Sequence, residues 1–136
     1  MKQRKCTDMP DELWPPVNAI EKEVVAYRLT NDNCVKSDDF IPLYEIHKAK
    51  GNIVRENLSN DMYYALSVFE ELEDAQKLLR LQPWRFKRIS TGLTKCDDGC
   101  IRATPNKNSA SHTSWWLYED AIPERYFKLV EEDVNE

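Results

Sequence analysis

A chain of 136 residues, 41% of them hydrophobic and 32% charged, has the size and composition of one ordinary globular domain. Four tryptophans, six tyrosines and four phenylalanines argue against disorder, and only three glycines exclude a glycine-rich linker or a collagen-like repeat. The net charge of −5 weighs against broad, sequence-independent nucleic-acid binding and against an anionic membrane surface as partner.

The predicted elements follow an irregular, proline-interrupted arm over residues 1–21. Residues 23–30 are β-branched and aromatic and predict a first strand, whose side chains alternate between two faces. Residues 40–50 predict one or two helical turns, and residues 63–69 predict a second strand. These elements precede the one segment with a strong helical pattern.

That segment is residues 70–81. Its apolar side chains recur at helical spacing and form one stripe, made of Leu72, Ala75, Leu78 and Leu79. Ser67 and Glu70 have the spacing of a capping box, and Pro83 ends the pattern. We therefore expect an amphipathic helix whose three leucines are buried against a sheet.

Strand patterns return after the helix. The segments that predict strands are residues 84–89, 101–104, 111–118 and 125–130. Asp97-Asp98-Gly99 has the composition of a tight hairpin turn, because glycine takes the left-handed conformation that such turns require. This turn predicts a hairpin in which Cys96 and Cys100 face each other as free thiols.

The order of these elements predicts a single α+β domain over residues 22–130. Its sheet is expected to be mostly antiparallel, with one principal helix, about residues 70–81, packed on it. Residues 131–136 are expected to form a solvated acidic tail. No apolar segment follows the basic start or is long enough to span a membrane, so we expect a cytoplasmic protein with reduced cysteines. The cysteine and histidine spacings predict no metal site.

Residues 84–88 alternate aromatic and basic side chains. Trp84, Arg85 and Lys87 could stack on the bases of single-stranded nucleic acid and neutralise its phosphates, as basic and aromatic surfaces do. The alternative is an ordinary edge strand that its charges protect from pairing with other chains.

A late strand is predicted to place His112, Ser114 and Trp116 on one face. A serine and a histidine together can form an activated nucleophile, although these two would project in parallel, and a structural histidine is the alternative. Trp116 either packs in the core or presents an aromatic surface to a ligand.

Three further residues lie at or near the ends of predicted strands. Arg28 is on the first strand, Ser90 follows a middle strand and precedes Thr91 and Gly92, and Glu119 ends a late one. This order resembles the Arg, Ser-Thr-Ser, Glu pattern of ADP-ribosyltransferases, with Gly92 in place of the second serine. The resemblance implies that Arg28 binds the phosphates of NAD, that Ser90 braces the site and that Glu119 polarises the ribose. The alternative is a salt-bridged Arg28 and a Ser90 that caps a turn.

The sequence therefore favours a small binding or accessory module that interacts with another protein, without a cofactor or a catalytic motif. In the alternative interpretation the chain is a small NAD-using transferase in which Arg28, Ser90 and Glu119 are catalytic. Neither interpretation includes a membrane partner, the net charge disfavours nucleic acid, and no pattern indicates the oligomeric state.

Overall fold

The structure, a computed structural model, describes residues 2–130. Within them, the regular framework is a set of six strands and two α-helices. The strands are β1 (Val25–Thr30), β2 (Leu66–Phe69), β3 (Arg88–Leu93), β4 (Gly99–Ala103), β5 (His112–Leu117) and β6 (Lys128–Leu129), and the helices are α1 (Leu43–Ala49) and α2 (Leu72–Leu81). The predicted α+β class is confirmed, and the predicted tail at residues 131–136 lies outside the described residues.

The six strands form one sheet in the order β4-β5-β2-β1-β3-β6, and every neighbouring pair is antiparallel. β1 pairs with β3 along its whole length, from Val25 opposite Leu93 to Thr30 opposite Arg88. β1 and β2 are joined only through the pair Tyr27–Phe69 within these strands. The two central strands therefore separate beyond that pair, and the gap between them positions the site described below.

The predicted hairpin around residues 97–99 is wrong. β3 and β4 lie on opposite sides of the sheet, and the turn from Lys95 to Asp98 leads into a crossover connection instead. β4 takes β5 as one neighbour, and its other edge bonds to Ile20, a residue of the arm. Cys96 and Cys100 therefore do not face each other across a hairpin.

One face of the sheet carries a core of aromatic and aliphatic side chains, whose largest members are Phe40, Trp115 and Phe127. The other face is covered in two parts. Under α2 lie Leu29, Phe69 and Ile89, while the β4–β5 end is covered by a separate cluster that includes Trp116 and Tyr118. Cys6 and Met9 of the N-terminal arm are buried in this second cluster, so the arm is a structural part of the core.

Helix α2 begins at Leu72, two residues later than predicted, and the predicted capping box of Ser67 and Glu70 is wrong because Ser67 lies within β2. Ser111 takes over this role: its Oγ accepts from the Glu71 backbone N–H (3.1 Å) and donates to Asp74 (2.6 Å). These hydrogen bonds from Ser111 lower the pKa of the Asp74 carboxyl. Of the apolar stripe only Ala75 is fully buried, and the three leucines are half-buried.

Two predicted strands begin later than expected. The segment at residues 84–87 continues from the end of α2 as a turn, with the Arg85 and Phe86 backbone N–H groups donating to the Gln82 carbonyl, so β3 begins only at Arg88. Asp61–Tyr64 forms a short 3-10 helix, which leaves β2 with only four residues. In both places local hydrogen bonds outcompete the strand propensity of the aromatic residues.

The neighbouring residues Trp115 and Trp116 give a matched test of core hydrogen bonding. Both indoles are almost completely buried, on opposite faces of the sheet. The Nε1 of Trp116 donates to the Asp61 carbonyl (2.9 Å), whereas the Nε1 of Trp115 has no partner among the described residues.

We expect Trp116→Phe to lower the free energy of unfolding by about 1–3 kcal/mol more than Trp115→Phe does. Both changes leave a similar cavity, but only the first removes a hydrogen bond and strands a carbonyl. Urea denaturation of the two variants measures the difference. An equal loss, or a larger loss for Trp115→Phe, would contradict this assignment.

Candidate functional site

A cleft of about 540 Å³ opens where β1 and β2 separate. Its walls come from these two strands, from α1, from the end of α2 and from the segment at residues 106–109. That segment is a closed turn, in which Asn106 and Ser109 pair and the Asn106 side chain accepts from the Asn108 N–H (2.9 Å). We call this space the Arg28 cleft, because Arg28 is the charged residue that the sheet itself contributes to it.

The Arg28 guanidinium is fixed by backbone carbonyls. Its Nε donates to the Asp39 carbonyl (2.6 Å) and its Nη1 to the Ser67 carbonyl of β2 (2.7 Å), so the side chain fills the gap between the two central strands. No carboxylate of the described residues lies within ion-pair distance of this half-buried group, and Nη2 has no hydrogen-bond partner there. Burial lowers the pKa of Arg28 to about 10; Asp39 acts against this and Arg85 adds to it. The guanidinium is therefore charged at neutral pH.

The other charged residues of the Arg28 cleft have the same sign. Arg85 and Lys107 are exposed at its rim, and none of the described residues that line it is acidic. Arg85 is held by its own neighbours, since its guanidinium lies 4.8 Å from the Phe86 ring centroid. In a chain of net charge −5, such a cleft is a local positive site.

His112 contributes a hydrogen-bond acceptor to the Arg28 cleft. Its Nδ1 lies 3.0 Å from the Thr104 carbonyl, which can only accept, so Nδ1 carries the proton and Nε2 holds the lone pair. Burial lowers the pKa of His112, so the ring is neutral at pH 7. Nε2 has no partner among the described residues, and no described hydroxyl or thiol bonds to it.

Ser114 is not hydrogen-bonded to His112. The Oγ of Ser114 bonds instead to the Thr104 Oγ1 (2.9 Å), which also lies 2.9 Å from the His112 Nδ1. Ser114 is itself buried. The arrangement anchors the histidine ring and supplies no nucleophile to it.

The remaining walls of the Arg28 cleft are polar in part, at Gln82 and the segment at residues 106–109, and apolar elsewhere. The side chains that matter here are Leu29 and Phe69 from the sheet, Ile46 from α1, and Leu78 and Phe86 from α2 and the turn after it. Their presence beside a guanidinium fits a ligand that has one anionic and one apolar part.

Of the five binding residues that the sequence predicts, Arg85 and His112 line the Arg28 cleft. Trp84, which is 78% exposed, and Lys87 lie on the surface next to the lining residues Arg85 and Phe86. Trp116 is 1% exposed and has no surface for a ligand, because it is buried in the cluster that the N-terminal arm, α1 and the 3-10 helix Asp61–Tyr64 form. Lys107 also lines the cleft but was not predicted as a site residue, because its sequence context indicates only a polar loop.

The three residues of the ADP-ribosyltransferase-like pattern are not all brought together. Arg28 and Ser90 are direct cross-strand partners, and the Ser90 Oγ donates to the Arg28 carbonyl (3.3 Å), but Ser90 is fully buried. Glu119 lies beyond the end of β5, six residues after Thr113, which pairs with Val68 of β2. At ~3.3 Å per residue the end of β5 at Leu117 lies about 13 Å from Thr113 along the strand, and Glu119 follows beyond it. The candidate site is therefore built on Arg28 without Ser90 or Glu119.

Residues 2–130 contain neither a membrane-spanning helix nor a metal-binding cluster. No helix in this range is long and apolar enough to cross a membrane. Nor does this part of the chain group three histidine, cysteine or acidic side chains that could hold a metal ion.

All four cysteines are free, and their environments differ. Burial raises the pKa of Cys6 to about 12 and that of Cys100 to about 11. Cys34 is exposed and Cys96 is half-buried. Because the thiolate is the reactive form, we expect Cys34 to react first with a thiol reagent, Cys96 more slowly, and the other two only after unfolding.

A time course with a chromogenic disulfide reagent, without reductant and then in denaturant, measures this order. Cys34→Ser should remove the fast phase alone. Four fast thiols in the native protein, or fewer than four in the unfolded chain, would contradict the assignment.

Comparison of the chain with protein-family models, with curated proteins and with solved structures finds no match. The candidate site therefore rests on the geometry of the chain's own residues.

Proposed function

We propose that this chain is a small binding module, rather than an enzyme, and that the Arg28 cleft receives an anionic, partly apolar group of a partner protein. One observation carries the proposal. A half-buried guanidinium faces a cleft that has apolar walls, and no described carboxylate pairs with it.

Burial of the Arg28 charge costs free energy. A charged group that leaves water without a partner of opposite charge loses free energy, and carbonyl oxygens offset only part of that loss. A ligand carboxylate or phosphate would supply the missing charge through hydrogen bonds worth about 1.5–3 kcal/mol each. Arginine suits this role, because its planar fork matches such groups.

A protein partner fits the surroundings better than nucleic acid. The Arg28 cleft has three cations, Arg28, Arg85 and Lys107, in a chain whose net charge is −5, whereas nucleic-acid binding relies on a wide basic footprint. Apolar walls favour a side chain over a phosphodiester backbone. We further propose a cytoplasmic location, since four free cysteines are typical of reducing compartments.

The first experiment uses 4-methylpentanoate, which has a carboxylate on an apolar chain, and its neutral analogue 4-methylpentanamide. Each is titrated into the 15N-labelled protein, and amide chemical shifts are followed. We expect the acid alone to shift the amides of Ser67, Phe69 and His112. The double variant Arg85→Gln/Lys107→Gln should weaken binding of the acid.

The matched control is Arg125→Gln/Lys50→Gln, which removes two exposed cations that do not line the cleft. It should leave binding of the acid unchanged. Equal shifts with the acid and the amide, or no shifts with either, would overturn the proposal. NAD serves as a third probe, and shifts near Arg28, Ser90 and Glu119 together would favour the transferase interpretation instead.

A further inference from the structure

We infer that the anionic group received by the Arg28 cleft is the C-terminal carboxylate of a polypeptide, whose last amide N–H donates to His112. This inference rests on the proposed function and narrows it to one class of ligand.

Arg28 and His112 each have hydrogen-bonding capacity that the described residues do not use. The Nε and Nη1 atoms of Arg28 each donate to a carbonyl oxygen, and Nη2 has no hydrogen-bond partner among the described residues. His112 has used Nδ1 on Thr104, which leaves Nε2 as an acceptor. The Arg28 cleft therefore offers one cationic donor and one neutral acceptor, and a ligand that satisfies both must carry an anion and an N–H or O–H donor.

The Arg28 and His112 side chains both lie near β2. Arg28 is on β1 and His112 is on β5, with β2 between them. The Arg28 side chain reaches β2, where it bonds to the Ser67 carbonyl, and the His112 ring lies 5.5 Å from the ring of Phe69 on the same strand. Both groups therefore approach β2, beside the apolar wall that includes Phe69 and Leu78.

A C-terminal residue and an internal acidic residue present their carboxylates differently. In the last residue of a polypeptide, the carboxylate, the amide N–H and the side chain are all attached to one Cα atom. In an internal aspartate or glutamate the carboxylate is itself the side chain, so no apolar group shares that carbon. A cleft whose lining includes a cation, an acceptor and apolar side chains suits the first arrangement, and capture of a C-terminal carboxylate is a known mode of peptide recognition. The volume of about 540 Å³ lies within the range of small-ligand sites.

The experiment adds N-acetyl-L-leucine and N-acetyl-L-leucinamide to the two probes used above. Relative to 4-methylpentanoate, N-acetyl-L-leucine has an acylated N–H next to its carboxylate. We expect it to bind about threefold to tenfold tighter, which is the gain from one neutral hydrogen bond, and we expect its amide not to bind. His112→Phe should remove this gain, whereas His47→Phe, which changes a histidine outside the cleft, should retain it.

A second comparison identifies the source of the carboxylate. We use an N-acetylated hexapeptide of glycine and serine that ends in leucine, with either a free or an amidated C-terminus. The free-acid peptide is expected to bind at least as tightly as N-acetyl-L-leucine, and the amidated peptide should not bind.

Three results would overturn the inference. N-acetyl-L-leucine that binds no tighter than 4-methylpentanoate would refute the role of His112 but leave the proposed function intact. A free-acid peptide that binds at least tenfold more weakly than N-acetyl-L-leucine would indicate a free acylated amino acid as the ligand. If none of the carboxylates binds, the inference and the proposed function both fail.

Discussion

Gly99→Ala is expected to lower the free energy of unfolding by about 3–5 kcal/mol, which is among the largest effects that one methyl group can have. A Cβ atom at this position would lie 2.3 Å from the backbone oxygen of Trp116 and 2.8 Å from the Nε1 of Trp115. Both tryptophans are fully buried and the first contact is with backbone, so neither atom can move aside cheaply.

Gly51→Ala is the matched control. Gly51 has a left-handed backbone, with φ of +72°, but no atom lies within 4 Å of its added Cβ. The expected loss is therefore only about 1–2 kcal/mol, which is the conformational cost of that backbone region. Urea denaturation measures both variants, and similar losses would contradict the packing of β4 against β5.

Arg28→Met is expected to weaken binding of 4-methylpentanoate by roughly tenfold to a hundredfold. The basis is the loss of one charged hydrogen bond worth about 1.5–3 kcal/mol, at 1.4 kcal/mol per tenfold. The variant should also lower the free energy of unfolding by about 1–3 kcal/mol, because the carbonyls of Asp39 and Ser67 lose their donor. Arg28→Lys keeps the charge but loses the planar fork, so its binding should be intermediate.

Amide-shift titration measures the binding of these Arg28 variants, and their spectra show whether each variant is folded. Arg125→Gln, an exposed arginine outside the Arg28 cleft, is the control for a lost positive charge. Unchanged binding in a folded Arg28→Met variant would show that the carboxylate binds elsewhere.

Local patterns in the sequence were sufficient for the elements whose environment is set by near neighbours. The alternation of residues 25–30 places Leu29 under α2 and Ala26 in the opposite core, as the period of a strand requires. The turn at Asp97-Asp98-Gly99 failed as a hairpin signal because strand pairing is decided by distant segments. β5 pairs with one edge of β4, and Ile20 bonds to the other edge.

The candidate site was predicted in part for a similar reason. Arg85 and His112 were predicted as binding residues from their residue types and neighbours, whereas Arg28 was predicted only through the ADP-ribosyltransferase-like pattern, in a catalytic role. Their common cleft depends on the separation of β1 from β2, which no periodicity reveals. Trp116 was placed on the correct strand face, but sequence patterns could not show that the N-terminal arm covers that part of it.

The most direct test of the Arg28 cleft is a crystal structure of the protein with N-acetyl-L-leucine bound. We expect the carboxylate at about 2.7–2.9 Å from the Arg28 guanidinium. We also expect the leucine side chain to lie against Phe69 and Leu78. A ligand bound elsewhere on the molecule, or one whose carboxylate points away from Arg28 into solvent, would contradict this assignment of the binding site.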